Sequence, residues 1–489
     1  MMFKMRPIIS LLTSFVAMAF TLPCEGAGDS YKIVCYYTNW SQYRPGLGKF
    51  TPENIDPKLC THIIYAFAKV TNSEIKTIEW NDQKMFQKLR DMKLSNPELK
   101  SLIAVGGWNA GSAEFTTMVD TALNRQKFIT SVIEFLQEYG FDGLDLDWEY
   151  PAQRGGKPSD RDNFARLIQE LKEAFLPHQY LLTAAVPAGK TNVDAGYNVP
   201  LMGRHMDFIN LMSYDLHGSW EKTTGMNSPL YPSSHDSAAQ RQLNMNWAAD
   251  YWAKQGIPKH KLVIGMATYG RSFTLASPSD KDVGAPAKGP GRAGQYTRER
   301  GFLSYYEICK MVESGHGIDR WDNEQKVPYY SIGRLWVGYD NVKSITVKSQ
   351  WLMKEGYGGA MIWALDLDDF GKSCSSSSRP YPLLNTINDI LKKGTLPPTP
   401  KPHPTPRPRP TLPPTTIKPT QTTTNTYDNE GFTCSDKADG FYADPNSCHY
   451  FYRCISRKKY HYQCPANLVY NSITHVCDWP HIVPCKTFP

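Results

Sequence analysis

Eight short apolar runs, at residues 33–37, 62–67, 102–105, 141–147, 181–186, 208–212, 262–267 and 360–364, punctuate the first three quarters of this 489-residue chain. Between them lie amphipathic stretches such as 163–171, where apolar residues fall at helical spacing. Strand–helix alternation repeated in this way predicts an α/β fold, a parallel sheet closed into a (β/α)8 TIM barrel. A doubly wound open sheet is the alternative, but no Gly-x-Gly-x-x-Gly opens a helix after the first run. The long gap after the seventh run predicts a small α+β insertion domain over about 269–340, on the C-terminal face of the barrel.

Composition divides the rest of the chain. Residues 1–26 read as a secretory signal peptide: Lys4 and Arg6 precede an apolar run over 8–20, and Gly26, Ala27 and Gly28 follow. A membrane anchor is the rival reading, although the run is short for a span. Residues 27–394 form the body. From 395 to 427 the chain is nearly all Pro and Thr, an extended linker, and 428–489 form a small disulfide-rich β module. The net charge of +7 includes +1 in the first stretch and +4 in the linker, which leaves no basic footprint for nucleic acid. Cys24 lies in the leader; four of the other cysteines fall in the body and six in the tail, even numbers expected of disulfides in an oxidising compartment. The protein is therefore expected to be secreted and extracellular, a monomer with no membrane partner. Asn39-Trp40-Ser41 is a glycosylation sequon, against which stands the expectation that Trp40 lines a cleft.

The chemistry concentrates in the fourth run, Asp142-Gly143-Leu144-Asp145-Leu146-Asp147-Trp148-Glu149. Strand side chains alternate, so Asp145, Asp147 and Glu149 share the inner face while Leu144, Leu146 and Trp148 pack under the helices. Converging carboxylates in a strand interior cost desolvation and repel one another, so stability alone would not place them there. Like-charge proximity is expected to keep the outermost acid, Glu149, protonated near neutral pH, as a general acid requires. A hard-cation site is the competing reading, but no His partner or Asp/Asn-rich loop accompanies the three; neither metal nor cofactor is expected.

This segment resembles the DxxDxDxE signature of the family 18 glycoside hydrolases, the chitinases. The resemblance extends over the body, through Tyr36-Tyr37-Thr38-Asn39-Trp40, Ala104-Val105-Gly106-Gly107-Trp108, Met212-Ser213-Tyr214-Asp215, Tyr269-Gly270-Arg271-Ser272-Phe273 and Met361-Ile362-Trp363-Ala364. It is close to the animal chitotriosidase and acidic-chitinase type. It implies catalytic roles for Glu149 as proton donor, for Asp147 and Asp145, and for Tyr214, in a retaining mechanism where the substrate's own acetamide is the nucleophile and an oxazolinium ion forms. It implies sugar contacts by Tyr36, Trp40, Gly107, Trp108, Tyr150, Met212, Asp215, Trp220, Arg271, Glu299 and Trp363, because pyranose C–H faces stack on indole. It also implies disulfides Cys35–Cys60 and Cys309–Cys374. Asp142, on the opposite face, reads as structural.

The tail cysteines follow C-x13-C-x5-C-x9-C-x12-C-x7-C, similar to the peritrophin-A type chitin-binding module, which implies Cys434–Cys454, Cys448–Cys485 and Cys464–Cys477. So small a module cannot hide all its aromatic residues, and Trp479, Tyr450 and Tyr452 are the expected sugar contacts. The reading is a secreted chitinase acting on chitin and chitooligosaccharides. A catalytically silent chitin-binding lectin of the same fold is the alternative.

Overall fold

The computed structural model describes residues 31–393 and, in the tail, 432–438, 440–445, 447–455, 457–464, 469–472 and 476–478. The expected signal peptide at 1–26 and the linker at 395–427 lie outside the described residues.

Eight parallel strands form the body: β1 Lys32–Thr38, β2 His62–Thr71, β3 Lys100–Gly106, β4 Gly143–Asp147, β5 Leu181–Pro187, β6 Phe208–Met212, β7 Leu262–Ala267 and β8 Gly359–Trp363. Each pairs with the next, and β8 pairs with β1 in register Lys32 to Gly359, which closes the barrel. Around it lie α1 Asp82–Met92, α2 Ala122–Tyr139, α3 Asp160–Phe175, α4 Val199–His205, α5 Met245–Gln255, α6 Val342–Glu355 and α7 Pro382–Lys393. Local chemistry sets their ends. The Thr121 side chain caps α2 by accepting from Asn124 N–H, and Gly140, at φ 73°, closes it with its own N–H on the Leu136 carbonyl. α3 buries Phe164, Leu167, Ile168, Leu171 and Phe175 against the barrel, each worth roughly 1.5–3 kcal/mol if fully removed from water.

One departure from strict alternation is that β1 and β2 are joined by three short 3-10 turns, Asn39–Tyr43, Gly46–Gly48 and Pro52–Asn54, not by a helix. Pro45, Gly46, Gly48, Pro52 and Pro57 crowd this segment and deny it a continuous helical hydrogen-bond ladder.

The core has two layers. Leu144, Leu146 and Trp148 belong to the outer layer between strands and helices, whereas Val34, Ile64, Leu102, Ala104, Phe208, Val263 and Met361 fill the barrel. Two residues past β7, the strand Tyr269–Leu275 opens the insertion, pairing antiparallel with Leu335–Gly338, Ala287–Pro290 and Phe302–Ser304. The helix Tyr305–Glu313 and the strands Ile318–Asp322 and Val327–Ile332 complete it. The fully buried Lys348 of α6 anchors this region, donating to Asp340 at 2.6 Å and to the Ser228 carbonyl at 2.6 Å. Cys35–Cys60 and Cys309–Cys374 are both bonded.

The tail unit is a three-stranded antiparallel sheet, Gly440–Asp444, Ser447–Ile455 and Lys458–Gln463, with a hairpin Val469–Asn471 and Val476–Asp478. Cys434–Cys454 is formed, and Cys448 and Cys464 are also disulfide-bonded. The pairings expected for them rest on Cys485 and on the side chain of Cys477, which lie outside the described residues, as does Trp479.

Candidate active site

The inner face of β4 carries the acids upward in steps. Asp145, 0% exposed, accepts from Thr183 Oγ1 at 2.6 Å, Tyr36 Oη at 2.7 Å and Asn210 Nδ2 at 3.2 Å. Burial raises its pKa to about 6 while these three bonds pull it down. Asp147 is nearly as buried, yet its Oδ1 meets no donor among the described residues. Burial, then the charges of Glu149 and Asp145, push its pKa far above the carboxylate range. Glu149 stands past the strand end, at the barrel mouth. Burial lifts its pKa to about 7; a hydrogen bond from Tyr150 and the charge of Arg154 oppose the rise, and Asp215 adds to it.

Desolvation thus outweighs the like charge expected to lift the outermost acid, with Asp215 adding a smaller push in that direction. The repulsion within the column weighs on Asp147, whose Oδ1 has no compensating donor among the described residues. Asp142 is structural as expected, accepting from Ser101 N–H and Lys93 at 2.6 Å each.

Backbone geometry makes room for this column. The Gly107 N–H donates to the Asp147 carbonyl at 2.8 Å, and a Cβ on Gly106, at φ 118°, would lie 2.1 Å from that oxygen. The β3 end therefore needs glycine. Tyr36, expected among sugar contacts, is corrected: only 1% of it is exposed and its hydroxyl is committed to Asp145, so it works beneath the acids. Tyr214 is buried beside Met212 and Trp363, with its hydroxyl on Met361 Sδ at 3.6 Å; burial and the Asp147 and Asp215 charges hold it protonated. Asp215, at φ 56°, is clamped by Tyr269 Oη at 2.7 Å and by Arg271 at 2.6 and 2.8 Å.

An aromatic cluster gathers on Tyr36, the ring that donates to Asp145. Trp363 lies 5.2 Å from Tyr36, 5.9 Å from Phe67 and 6.2 Å from Trp40. Trp108 and Trp220 are 59% and 61% exposed, the latter with the Arg271 guanidinium 5.5 Å from its ring. Tyr150 is half-buried, and Glu299 is exposed with its charge felt at Arg271.

The general family model for glycosyl hydrolases family 18 matches residues 32–368. The chain belongs to glycosyl hydrolase family 18. A second model, the chitin binding peritrophin-A domain, matches residues 434–485. Mouse chitotriosidase-1 is 45% identical over 460 residues, 92% of this chain and 96% of its own length. Among solved structures, the Ostrinia furnacalis Group IV chitinase in complex with allosamidin is 39% identical with a TM-score of 0.73, covering 75% of this chain and all of its own. Human YKL-39, described as a pseudo-chitinase with retained chitooligosaccharide binding, is 44% identical with a TM-score of 0.70, over 74% of this chain and all of its own.

Several residues that sequence reasoning passed over belong to this family 18 site. Thr183 and Asn210 are isolated polar residues inside the apolar runs of β5 and β6, and that signal could have found them. Arg154 touches the Glu149 backbone from a loop with no such signal, and Tyr269, which lies in a segment that carries the resemblance but was given no role, donates to Asp215. Trp80, 87% exposed, stands on a loop bonded to the Trp40 turn: Tyr43 Oη donates to Glu79 at 2.7 Å and Asn81 to Gln42 at 2.7 Å. The Asn39 sequon is buried, its amide on the Phe67 carbonyl and Asp82, so the folded protein does not offer it as a surface acceptor.

In the tail, Tyr452 is corrected. It is 3% exposed, stacked between Phe432 at 4.3 Å and His461 at 4.4 Å, and is core. Tyr450 is half-buried on His461. The pairing register instead places Phe441, Phe451, Tyr460 and Tyr462 on the opposite face, where Phe441, Tyr460 and Tyr462 are exposed.

Proposed function

We propose that this family 18 chain is a secreted, monomeric chitinase that hydrolyses β-1,4 bonds between N-acetylglucosamine units. The observation that carries the reading is the acid column: a carboxyl at the mouth with its pKa lifted to about 7, above a buried Asp147 oxygen that meets no donor among the described residues. Glu149 protonates the glycosidic oxygen and then acts as base toward water. The acetamide oxygen of the sugar attacks its own anomeric carbon, an intramolecular step favoured when the acetamide is held in place. Asp147 accepts the acetamide N–H, Asp145 supports Asp147, and the neutral Tyr214 hydroxyl donates to the acetamide oxygen.

Trp363 serves as the floor beneath that sugar, with Trp40, Trp108 and Trp220 along the cleft and Arg271, Asp215 and Glu299 at its rim. The tail holds the enzyme to solid polymer through the aromatic face of Phe441, Tyr460 and Tyr462, which raises local concentration without altering the chemistry.

Assay of the protein and its Glu149→Gln variant on chitin oligomers tests this. The expected result is hydrolysis by the parent and a loss of at least about a hundredfold in the variant, the low end for general acid catalysis. Undiminished turnover by the variant removes Glu149 as proton donor. Binding without turnover by either protein favours the lectin reading, the condition described for YKL-39.

A further inference from the structure

Arg154 stands in the loop after β4, at φ 50°, and its side chain is on the surface. Surface arginines ordinarily sample many rotamers, yet this one is engaged three times over. Its guanidinium carbon lies 3.6 Å from the centroid of the Trp108 ring. Its Nη1 donates to the Trp108 carbonyl at 2.7 Å and to the Glu149 carbonyl at 2.9 Å. These carbonyls belong to different loops, one leaving β3 and one leaving β4. Only a planar guanidinium can lie flat on an indole while donating in its own plane; a lysine ammonium can supply the charge but not the frame.

We infer that Arg154 is a positioning residue that locks the Trp108 ring to the backbone of Glu149, so that a sugar stacked on Trp108 and the acid above the scissile bond are held in one rigid frame. The inference rests on the proposed roles of Glu149 as proton donor and Trp108 as a sugar platform. The same side chain has an electrostatic effect. Glu149 is faced by Tyr150, Asp147, Asp215, Tyr197 and Tyr214 as well as by Arg154, and of these charges only that of Arg154 favours its ionised form. Loss of the positive charge therefore raises the pKa of Glu149, and the limb at which activity falls with rising pH moves upward.

The test is a double-mutant cycle between Arg154→Ala and Trp108→Ala, with Arg154→Lys alongside, read as kcat/KM on the N-acetylglucosamine pentasaccharide across pH. Melting temperatures check that each variant is folded. Arg154→Ala is expected to lose about tenfold, roughly 1.4 kcal/mol, and to shift the alkaline limb upward. Trp108→Ala is expected to cost at least threefold less in the Arg154→Ala background than in the parent, the signature of coupled neighbours. Arg154→Lys is expected to keep the limb but to lose the coupling. Additive single effects, or full recovery of both activity and coupling by lysine, would overturn the inference. Turnover that survives Glu149→Gln is a different failure: it removes the proton-donor reading while leaving the Arg154–Trp108 coupling measurable.

Discussion

At Glu149, burial does what a neighbouring charge was expected to do, and the consequence is a definite pH dependence. A proton donor works only while protonated, so kcat/KM is expected to fall as pH rises through about 7, where its pKa lies. A pH–rate profile on a soluble oligomer checks this, and a rate still rising above pH 8 would exclude Glu149 as the acid. Beneath it, Tyr36 gives Asp145 one of its three donors. A hydrogen bond to a charged group is worth about 1.5–3 kcal/mol, so Tyr36→Phe is expected to lower kcat by at least about tenfold and to reduce thermal stability. An unchanged kcat would show that Asp145 has no bearing on the chemistry. The acidic motif was legible from alternation alone, because strand geometry decides which side chains share a face. The donors Thr183, Tyr36 and Asn210 come from three other strands, and their convergence on Asp145 is a property of barrel closure.

Among the elements, the turn after β1 and the loop before α1 form one hydrogen-bonded unit, with Asp82 at its centre. This buried carboxylate accepts from Tyr65 at 2.5 Å, from the N–H groups of Ile78 and Glu79 at 2.8 and 2.7 Å, and from Asn39 at 3.3 Å. Asp82→Ala leaves these donors without their acceptor, at about 1–3 kcal/mol for each that stays buried and unpaired. A clear drop in melting temperature, together with a raised KM on long oligomers, is the expected outcome, since Trp40 and Trp80 both stand on this unit. A melting temperature equal to the parent's would refute the hub. The sequence showed the strands as eight apolar runs with helical spacing between them, as at 163–171, but it did not show that β1 and β2 lack a helix between them. In the tail, the sequence named aromatic residues as sugar contacts without assigning them to a face. Phe432 and His461 enclose Tyr452, so the exposed face is the other.

For the molecule as a whole, burial of acids sets how stability varies with pH. Asp145 at about 6, Glu149 at about 7 and Asp368 at about 7 have folded pKa values above those of the unfolded chain, roughly 4. Each therefore contributes stability while protonated, at low pH, and loses that contribution as pH rises through its folded value. Glu53 and Glu313, lowered to about 2, act in the opposite sense below pH 4, but both are mostly solvated and weigh little. Glu149→Gln is accordingly expected to melt at a higher temperature than the parent at pH 8 and at nearly the same temperature at pH 5. A difference independent of pH would contradict this. Removal of residues 427–489 is expected to weaken adsorption to solid chitin while sparing soluble oligomers, and equal loss on both substrates would refute the modular reading.

Periodicity, cysteine count and the spacing of three carboxylates determined the barrel, its insertion, the disulfide-stapled tail and the acidic column, because each is written into local geometry that a strand or helix must obey. Which polar groups meet each acid, how deeply Glu149 is desolvated, that Arg154 bridges two loops onto Trp108, and which tail face is open were decided only when distant segments packed. Those are differences of a few ångströms between residues far apart along the chain, and hydration and electrostatics respond to that distance rather than to sequence position.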